Sequence, residues 1–207
     1  MGSETLPEHA PPTAAHPGHP EGSTRLKIVI LGGFGAGKTT VIKSVSEVAG
    51  IFTEAQMTRV GEGVDDLQAI PDKTTTTVAM DYGRLTLDAE ADEGAVVLYL
   101  FGVPGQTRFM FLWNDLVRGA LGAILLLDTR RVTDSYDALG LLEHNQVPFV
   151  VAVNRFPGSG TYAAEEIRDA LRLPESVPVI EIDARRRDQG TAALEVLVSH
   201  LLTLADP

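Results

Sequence analysis

The sequence contains no cysteine, few aromatic residues and no long hydrophobic run. Without cysteine, disulfide bridges and thiolate metal sites are excluded. No apolar run reaches the ~18–20 residues that a membrane-spanning helix requires, and the first residues lack the hydrophobic core of a signal peptide. We therefore expect a cytoplasmic protein with no direct membrane insertion, which only a partner would bring to a membrane.

Basic residues are also scarce, with 17 Lys and Arg against 28 Asp and Glu, so the formal net charge is −11. An acidic surface repels a phosphate backbone, and no nucleic-acid partner is expected. The 207 residues suit one domain of ordinary size with a tail. Residues 1–24 are rich in Pro, His, Gly, Glu and Ala without apolar periodicity, which predicts a disordered tail before a domain at 25–207.

Strands and helices are predicted to alternate from Leu26 onward. The apolar run 28–31 is typical of a strand buried on both faces, whereas the polar residues 51–76 predict a long loop. A hairpin of two antiparallel strands is predicted around 78–100. Further strands at 121–127, 147–153 and 178–182 are predicted to alternate with helices at 133–145, 162–172 and 191–204. The alternation indicates an α/β fold with a six-stranded, mostly parallel sheet, one antiparallel strand and helices on both faces.

A glycine-rich segment between the first strand and the first helix matches the phosphate-loop pattern G-x-x-x-x-G-K-[ST] throughout. Backbone N–H groups that end at a helix N-terminus form a concavity that binds anions. Lys38 adds a positive charge at the β- and γ-phosphates, and the Thr39 hydroxyl is placed to bind Mg²⁺. The motif leaves the base and the reaction open, because kinases and ATPases share it. The predicted phosphate-binding residues are Gly32, Gly33, Phe34, Gly35, Ala36, Gly37, Lys38, Thr39 and Thr40.

Two later segments resemble the switches of Ras-like GTPases. The run 102–106 reads Gly-Val-Pro-Gly-Gln after a buried strand, and the resemblance assigns Gly105 to the γ-phosphate and Gln106 to the attacking water. The run 77–82 resembles the segment that opens the second strand of Rab-type GTPases. That resemblance assigns Thr77 to Mg²⁺ and the γ-phosphate, with a register that the neighbouring threonines leave open by one or two residues.

The base-binding motifs resemble those of the same class. Asn154 and Arg155 follow a buried strand where Ras-like proteins carry Asn-Lys-x-Asp, which implies that the stem of Arg155 covers the base. Asp183-Ala184-Arg185 resembles the Ser-Ala-Lys loop, in which the backbone N–H of Ala184 meets the guanine O6. These resemblances imply that Asn154, Arg155, Ala184 and Arg185 contact the nucleotide.

Two acidic residues of the Ras-like pattern are missing, and their absence leaves two alternative functions open. Pro157 stands where an aspartate accepts hydrogen bonds from guanine, and Gly102 stands where an aspartate serves Mg²⁺. One alternative is a P-loop kinase or ATPase that uses Asp128, at the end of an apolar run, for its metal. The other is a nucleotide-dependent scaffold that does not hydrolyse its ligand.

The whole set of motifs more closely resembles the actinobacterial conservon GTPases, which are akin to the Ras-like GTPase of bacterial gliding motility. The shared features are the threonine-rich first switch, the Val-Pro-Gly-Gln segment and the Leu-Leu-Asp-Thr-Arg-Arg segment. This resemblance implies a small signalling GTPase with Mg²⁺, bound GTP or GDP, a roadblock-domain regulator and a sensor-kinase-like membrane protein as partners.

Catalysis requires charge stabilisation on the γ-phosphoryl group and a positioned water. Gln106 and Lys38 are the predicted catalytic residues, and Arg59 and Arg108 are the candidates for an arginine that acts in cis. Without such an arginine, unassisted turnover is expected to be far below about 1 s⁻¹. In the helix predicted after Gln106, Phe109, Leu112, Trp113 and Leu116 form a core stripe, so Met110 and Phe111 are predicted to face a partner.

Overall fold

A computed structural model describes residues 23–48, 53–58, 75–87 and 95–205, with side chains omitted at 53–58, 75–79, 107 and 108. The N-terminal tail prediction therefore lies outside the described residues except at Ser23 and Thr24, and Thr24 already belongs to the first strand. Five α-helices and seven strands are present in the described part. The strands are β1 (Thr24–Gly32), β2 (Thr53–Thr58), β3 (Thr75–Leu87), β4 (Val96–Gly102), β5 (Gly122–Leu127), β6 (Phe149–Asn154) and β7 (Val179–Ile182).

The helices follow the alternation that the sequence predicts, with shifted ends. They are α1 (Lys38–Val45), α2 (Trp113–Val117), α3 (Tyr136–His144), α4 (Ala164–Leu171) and α5 (Arg187–Ala205). Two 3₁₀ segments, Thr107–Leu112 and Val132–Ser135, lead into α2 and α3. The first helix ends at Val45, because Ser46 adopts an extended conformation and caps it. No helix of the described residues is long and apolar enough to cross a membrane.

The strand order is β2-β3-β4-β1-β5-β6-β7. From β4 to β7 all neighbours are parallel, and β3 pairs antiparallel with β4, as predicted for the six-stranded sheet. The edge beyond β3 carries one more strand, β2, so the prediction of an irregular loop was wrong for Thr53–Thr58. Its sequence, Thr-Glu-Ala-Gln-Met-Thr, is mostly polar, with alternation only at Ala55 and Met57, and it pairs with β3 at the sheet edge.

The central strands divide the core into two layers. One face of the sheet packs against α1 and α5 through residues such as Ile30, Ile42 and Leu194. The other face packs against α2, α3 and α4 through residues such as Leu31, Trp113 and Leu142. Burying β1 and β5 on both faces fixes their carboxyl ends, which is where a nucleotide site is expected in an open α/β sheet.

Candidate nucleotide-binding site

The phosphate loop leaves β1 at the carboxyl edge of the sheet and enters α1 at Lys38. Gly37 caps that helix in a left-handed conformation with φ of 107°, which a residue without a side chain adopts at little cost. A Cβ at Gly37 would also lie 2.5 Å from Asn154 Nδ2. The loop therefore requires glycine at this point both for its backbone and for contact with β6.

Lys38 is buried at the bottom of the loop. Its Nζ donates to the carbonyl oxygens of Gly32 at 2.9 Å and Gly33 at 2.8 Å. Burial lowers the pKa of Lys38 from its usual 10.5 to about 8, while the negative charge of Asp81 acts in the opposite direction. The ammonium of Lys38 is thus held in place by neutral carbonyl groups, which do not balance its positive charge. An anionic phosphate would balance that charge.

The second-switch segment lies directly against this loop. A Cβ at Gly105 would be 2.6 Å from Lys38 Nζ and 2.8 Å from the Gly32 carbonyl oxygen, so only glycine fits. Trp113 Nε1 donates to the Pro104 carbonyl at 2.8 Å and anchors the segment to α2. Gly105 and Gln106 line the same cleft of about 410 Å³ as Lys38 and Thr39. The structure therefore brings the predicted catalytic residues together.

An aspartate that the sequence analysis missed completes this end of the cleft. The Thr39 hydroxyl donates to Asp81 Oδ2 at 2.5 Å. Asp81 lies on β3 opposite Gly102 of β4, and a Cβ on Gly102 would be 2.9 Å from the Cβ of Asp81. The carboxylate that is absent at Gly102 is thus supplied by the neighbouring strand.

These oxygen donors fit Mg²⁺, which binds through one or two protein oxygens, phosphates and water rather than through a cage of protein ligands. Among the residues whose side chains are described, no group of three or more His, Asp or Glu could hold a metal alone. Thr39 and Asp81 are the residues that would contact the ion or its waters. The predicted ligand Thr77 lies in β3, and its side chain falls outside the described atoms, as does that of Arg108; Arg59 is outside the described residues altogether.

Asp128, the metal residue of the kinase or ATPase alternative, is used differently. Its buried carboxylate accepts from Arg130 Nε at 2.9 Å and from Nη2 at 2.8 Å. The hydrogen bonds from Arg130 hold the pKa of Asp128 below its usual value despite burial. Arg131, the next residue, donates to the Phe34 carbonyl at 2.7 Å. The loop after β5 therefore supports the phosphate loop from outside, while Asp81 takes the place beside Thr39.

At the opposite end, Asn154 connects two loops. Its Nδ2 donates to the Ala36 carbonyl at 2.9 Å, and its Oδ1 accepts from the backbone N–H of Ala184 at 3.0 Å. The N–H that the resemblance assigns to the guanine O6 is thus directed at Asn154 in this structure. The buried amide holds the phosphate loop and the loop after β7 side by side.

Both arginines predicted at the base are engaged in ion pairs. Arg155 is bound to Glu181 of β7, with Nη2 to Oε2 at 2.9 Å and a second contact from Nε to Oε1. Arg185 is bound to Asp183. Phe156, which follows Arg155, lies under the guanidinium of Arg130 at 4.0 Å. The roles of Arg155 and Arg185 on a base stay predictions, because their guanidinium groups contact carboxylates here.

Comparison with known proteins agrees with this geometry. A family model described as a conserved hypothetical ATP binding protein matches residues 30–204. The chain belongs to this family. It is a P-loop nucleotide-binding protein with the α/β fold of Ras-like domains, and the matched residues include every strand from β3 to β7.

Individual relatives are more distant. The chain is 24% identical over 196 residues to the Ras-related protein Rab-7b of Mus musculus, covering 89% of this chain and 86% of the relative. It is 24% identical over 192 residues to the GTP-binding protein YPTC5 of Chlamydomonas reinhardtii, covering 86% and 82%. An uncharacterised protein of Methanocaldococcus jannaschii is 26% identical over 132 residues, covering 63% and 70%.

Proposed function

We propose that this protein is a Ras-like small GTPase that binds GTP and GDP with Mg²⁺, hydrolyses GTP slowly and acts as a switch. The observation that carries the proposal is the contact between Thr39 and Asp81 beside Gly102, in the cleft that also holds Lys38 and Gln106. It restores the metal-side carboxylate whose absence had favoured a scaffold without hydrolysis. The relatives described as Ras-related and GTP-binding support the same class.

Each residue of the cleft has a separate task in this proposal. Lys38 and the loop N–H groups neutralise the phosphates, and Gly105 lets the backbone reach the γ-phosphate. Gln106 orients the attacking water. Mg²⁺ would neutralise charge on the phosphate oxygens, and Thr39 and Asp81 would hold it. Among the described side chains that line the cleft there is no arginine, which supports slow turnover without a partner.

The first test identifies the nucleotide that the purified protein carries after denaturation. We expect a guanine nucleotide. A second candidate is ATP binding, because the family description names ATP. In addition, Pro157 stands where Ras-like proteins carry the aspartate that binds guanine. Recovery of an adenine nucleotide would support that candidate and overturn ours.

Hydrolysis is tested in a single turnover with wild type and Gln106→Leu. Wild type is expected to turn over far below about 1 s⁻¹, and the variant at least about tenfold more slowly with unchanged nucleotide affinity. Unassisted turnover of tens per second would contradict the proposal of slow hydrolysis, and equal rates in the two proteins would contradict the role of Gln106.

Signalling through a roadblock-domain regulator and a sensor-kinase-like membrane protein is proposed from the conservon resemblance. The surface we assign to the regulator is the 3₁₀ segment after Gln106, where Met110 is 37% and Phe111 53% exposed while Phe109 is buried. Large apolar side chains of this kind are enriched at the centres of interfaces. Their neighbour Gln106 would connect partner binding to the hydrolysis site.

Phe111→Ala is expected to weaken binding of the purified roadblock partner by about tenfold or more and to leave nucleotide affinity unchanged. Tyr162→Ala is the matched control, since Tyr162 is 51% exposed and precedes α4. Loss of nucleotide affinity in the Phe111 variant, or equal loss of partner binding in both variants, would assign Phe111 a structural role instead.

A further inference from the structure

The loop after β7, where the base is predicted to bind, carries a carboxylate that the proposed hydrolysis does not use. Asp183 directly follows β7 and precedes Ala184. The two loops that leave β6 and β7 run from 155 to 163 and from 183 to 186, and Asp183 is the single acidic residue in them. Selection of guanine by hydrogen bonding to its N1–H and N2–H groups requires an acceptor, and a carboxylate is the side chain that offers only acceptors.

The backbone around Asp183 is fixed beside the loop after β6. The Arg155 N–H donates to the Ile182 carbonyl at 2.8 Å, and the Asp183 N–H donates to Gln189 Oε1 at 2.6 Å. Asn154 binds the next residue, Ala184, at 3.0 Å. Asp183 is therefore held one residue away from the amide that ties this loop to the phosphate loop.

The present partner of Asp183 shows which donors it accepts. Arg185 Nε donates to Oδ1 at 2.8 Å and Nη2 donates to Oδ2 at 2.7 Å. These are two parallel N–H groups on one planar guanidine. The N1–C2–N2 edge of guanine is also a guanidine with two parallel N–H donors, whereas adenine presents a lone pair on N1 at the same edge.

We propose that Asp183 is the residue that selects guanine, in place of the aspartate missing at Pro157, and that the base displaces Arg185 from it. This rests on the proposed GTPase function. Arg185 is 70% exposed, so its guanidinium moves into solvent at little cost. In the free protein the pKa of Asp183 is lowered to about 2, mainly by the hydrogen bonds from Arg185.

Glu181 is the other nearby carboxylate, and it is already committed. It lies within β7 opposite Val153, and its two oxygens are bound by Arg155. Freeing it would break an ion pair that joins the loop after β6 to β7. The Arg185–Asp183 pair, in contrast, lies within one loop, and its exchange leaves the connection between β6 and β7 intact.

The experiment measures affinities for GDP, ADP and xanthosine diphosphate, in wild type and in Asp183→Asn. An asparagine still accepts from N1–H, but its amide now donates to the O2 of xanthine and opposes the N2 donors of guanine. We expect GDP affinity to fall at least about tenfold and xanthosine diphosphate affinity to rise by a similar factor. Asp188→Asn is the matched control, because Asp188 forms the equivalent pair with Arg186 at 2.8 Å, and it is expected to change neither affinity.

The outcomes separate this inference from the proposed function. Equal GDP affinity in wild type and Asp183→Asn, without a gain for xanthine, would overturn the role of Asp183 and leave the GTPase intact. A wild type that prefers ADP would overturn both. If Asp183→Asn unfolds in a thermal melt, Arg185→Ala serves instead. It keeps the carboxylate and removes the guanidinium that the base has to displace, so GDP affinity is expected to rise, and an unchanged or lower affinity would overturn the inference.

Discussion

The two predicted ends of the nucleotide site differ in how their charged side chains are held. At the phosphate end, the buried Lys38 is bound by backbone carbonyl oxygens. At the base end, formed by the loops after β6 and β7, the charged side chains are paired with one another. Lys38 binds two carbonyl oxygens of its own loop and has a pKa lowered by burial. Arg155 and Arg185 each lie on a neighbouring carboxylate and are largely exposed. The phosphate end is therefore preorganised, whereas under our proposal the base end exchanges Arg185 for the bound base.

The difference follows from where the two ends lie in the fold. The phosphate loop begins at the buried carboxyl half of β1, beside the fully buried strand β5, so its geometry is fixed by the core. The base end is formed by β6 and β7, and β7 is the edge strand of the sheet. Preorganised donors contribute binding energy without reorganisation, so we expect the phosphate end to supply affinity and the base end to supply selectivity.

The largest predicted effect tests that division directly. Lys38→Ala is expected to weaken GDP and GTP binding by about 100-fold, because a buried charge-assisted contact to phosphate is lost. The base preference measured with the remaining affinity is expected to be unchanged. Lys43→Ala, at the exposed end of α1, is the control, with wild-type affinity expected. Titration with fluorescent nucleotides measures both, and an altered base preference in Lys38→Ala would break the comparison.

A smaller effect is expected at the metal side. Asp81→Gly is expected to reduce Mg²⁺-dependent GTP affinity by about 10- to 100-fold and to leave affinity measured in excess EDTA unchanged. The double variant Asp81→Gly with Gly102→Asp is expected to recover most of the loss. The glycine on β3 removes the Cβ that would clash at 2.9 Å with a side chain at 102.

The exchange of residues 81 and 102 has a control variant and two outcomes that would contradict the prediction. Asp115→Asn removes an exposed carboxylate from α2 and is expected to be silent. Equal loss with and without Mg²⁺ in Asp81→Gly would mean that the Thr39–Asp81 contact supports the fold rather than the metal. No recovery in the double variant would show that the two positions are not equivalent.

Positions 81 and 102 show which parts of the site could be predicted from the sequence and which could not. The phosphate loop was predictable because its eight residues are contiguous and each has one role. The resemblance to Ras-like switches predicted Gly105 and Gln106 near the phosphates, and both line the cleft beside the phosphate loop, while their roles stay predictions. The position of Asp81 beside Thr39 was missed because it depends on the register that sets Asp81 opposite Gly102, which requires the hairpin pairing to be known. The available signal was an acidic residue in one hairpin strand and a glycine where the other strand usually has the acid.

The remaining errors have similar causes. The edge strand β2 is mostly polar, and its pairing with β3 could not be predicted from its sequence. The pairs Arg155–Glu181 and Arg185–Asp183 join side chains that no motif connects. Likewise, the contact from Arg131 to the Phe34 carbonyl spans 97 positions of the chain. Long-range side-chain contacts of this kind are set by the fold and leave no periodicity in the sequence.

The smallest predicted effect is a pH dependence confined to the phosphate end. Burial lowers the pKa of Lys38 to about 8 in the free protein, and bound phosphate favours its charged form. Below pH 8 the ammonium is already protonated, and affinity is flat. Above pH 8 binding must take up a proton, so GDP affinity is expected to fall by about tenfold per pH unit. Lys38→Arg separates this from ionisation of the nucleotide, because a guanidinium stays charged throughout this range. Any slope that the arginine variant retains belongs to the ligand, and equal slopes in both proteins would contradict the titration of Lys38.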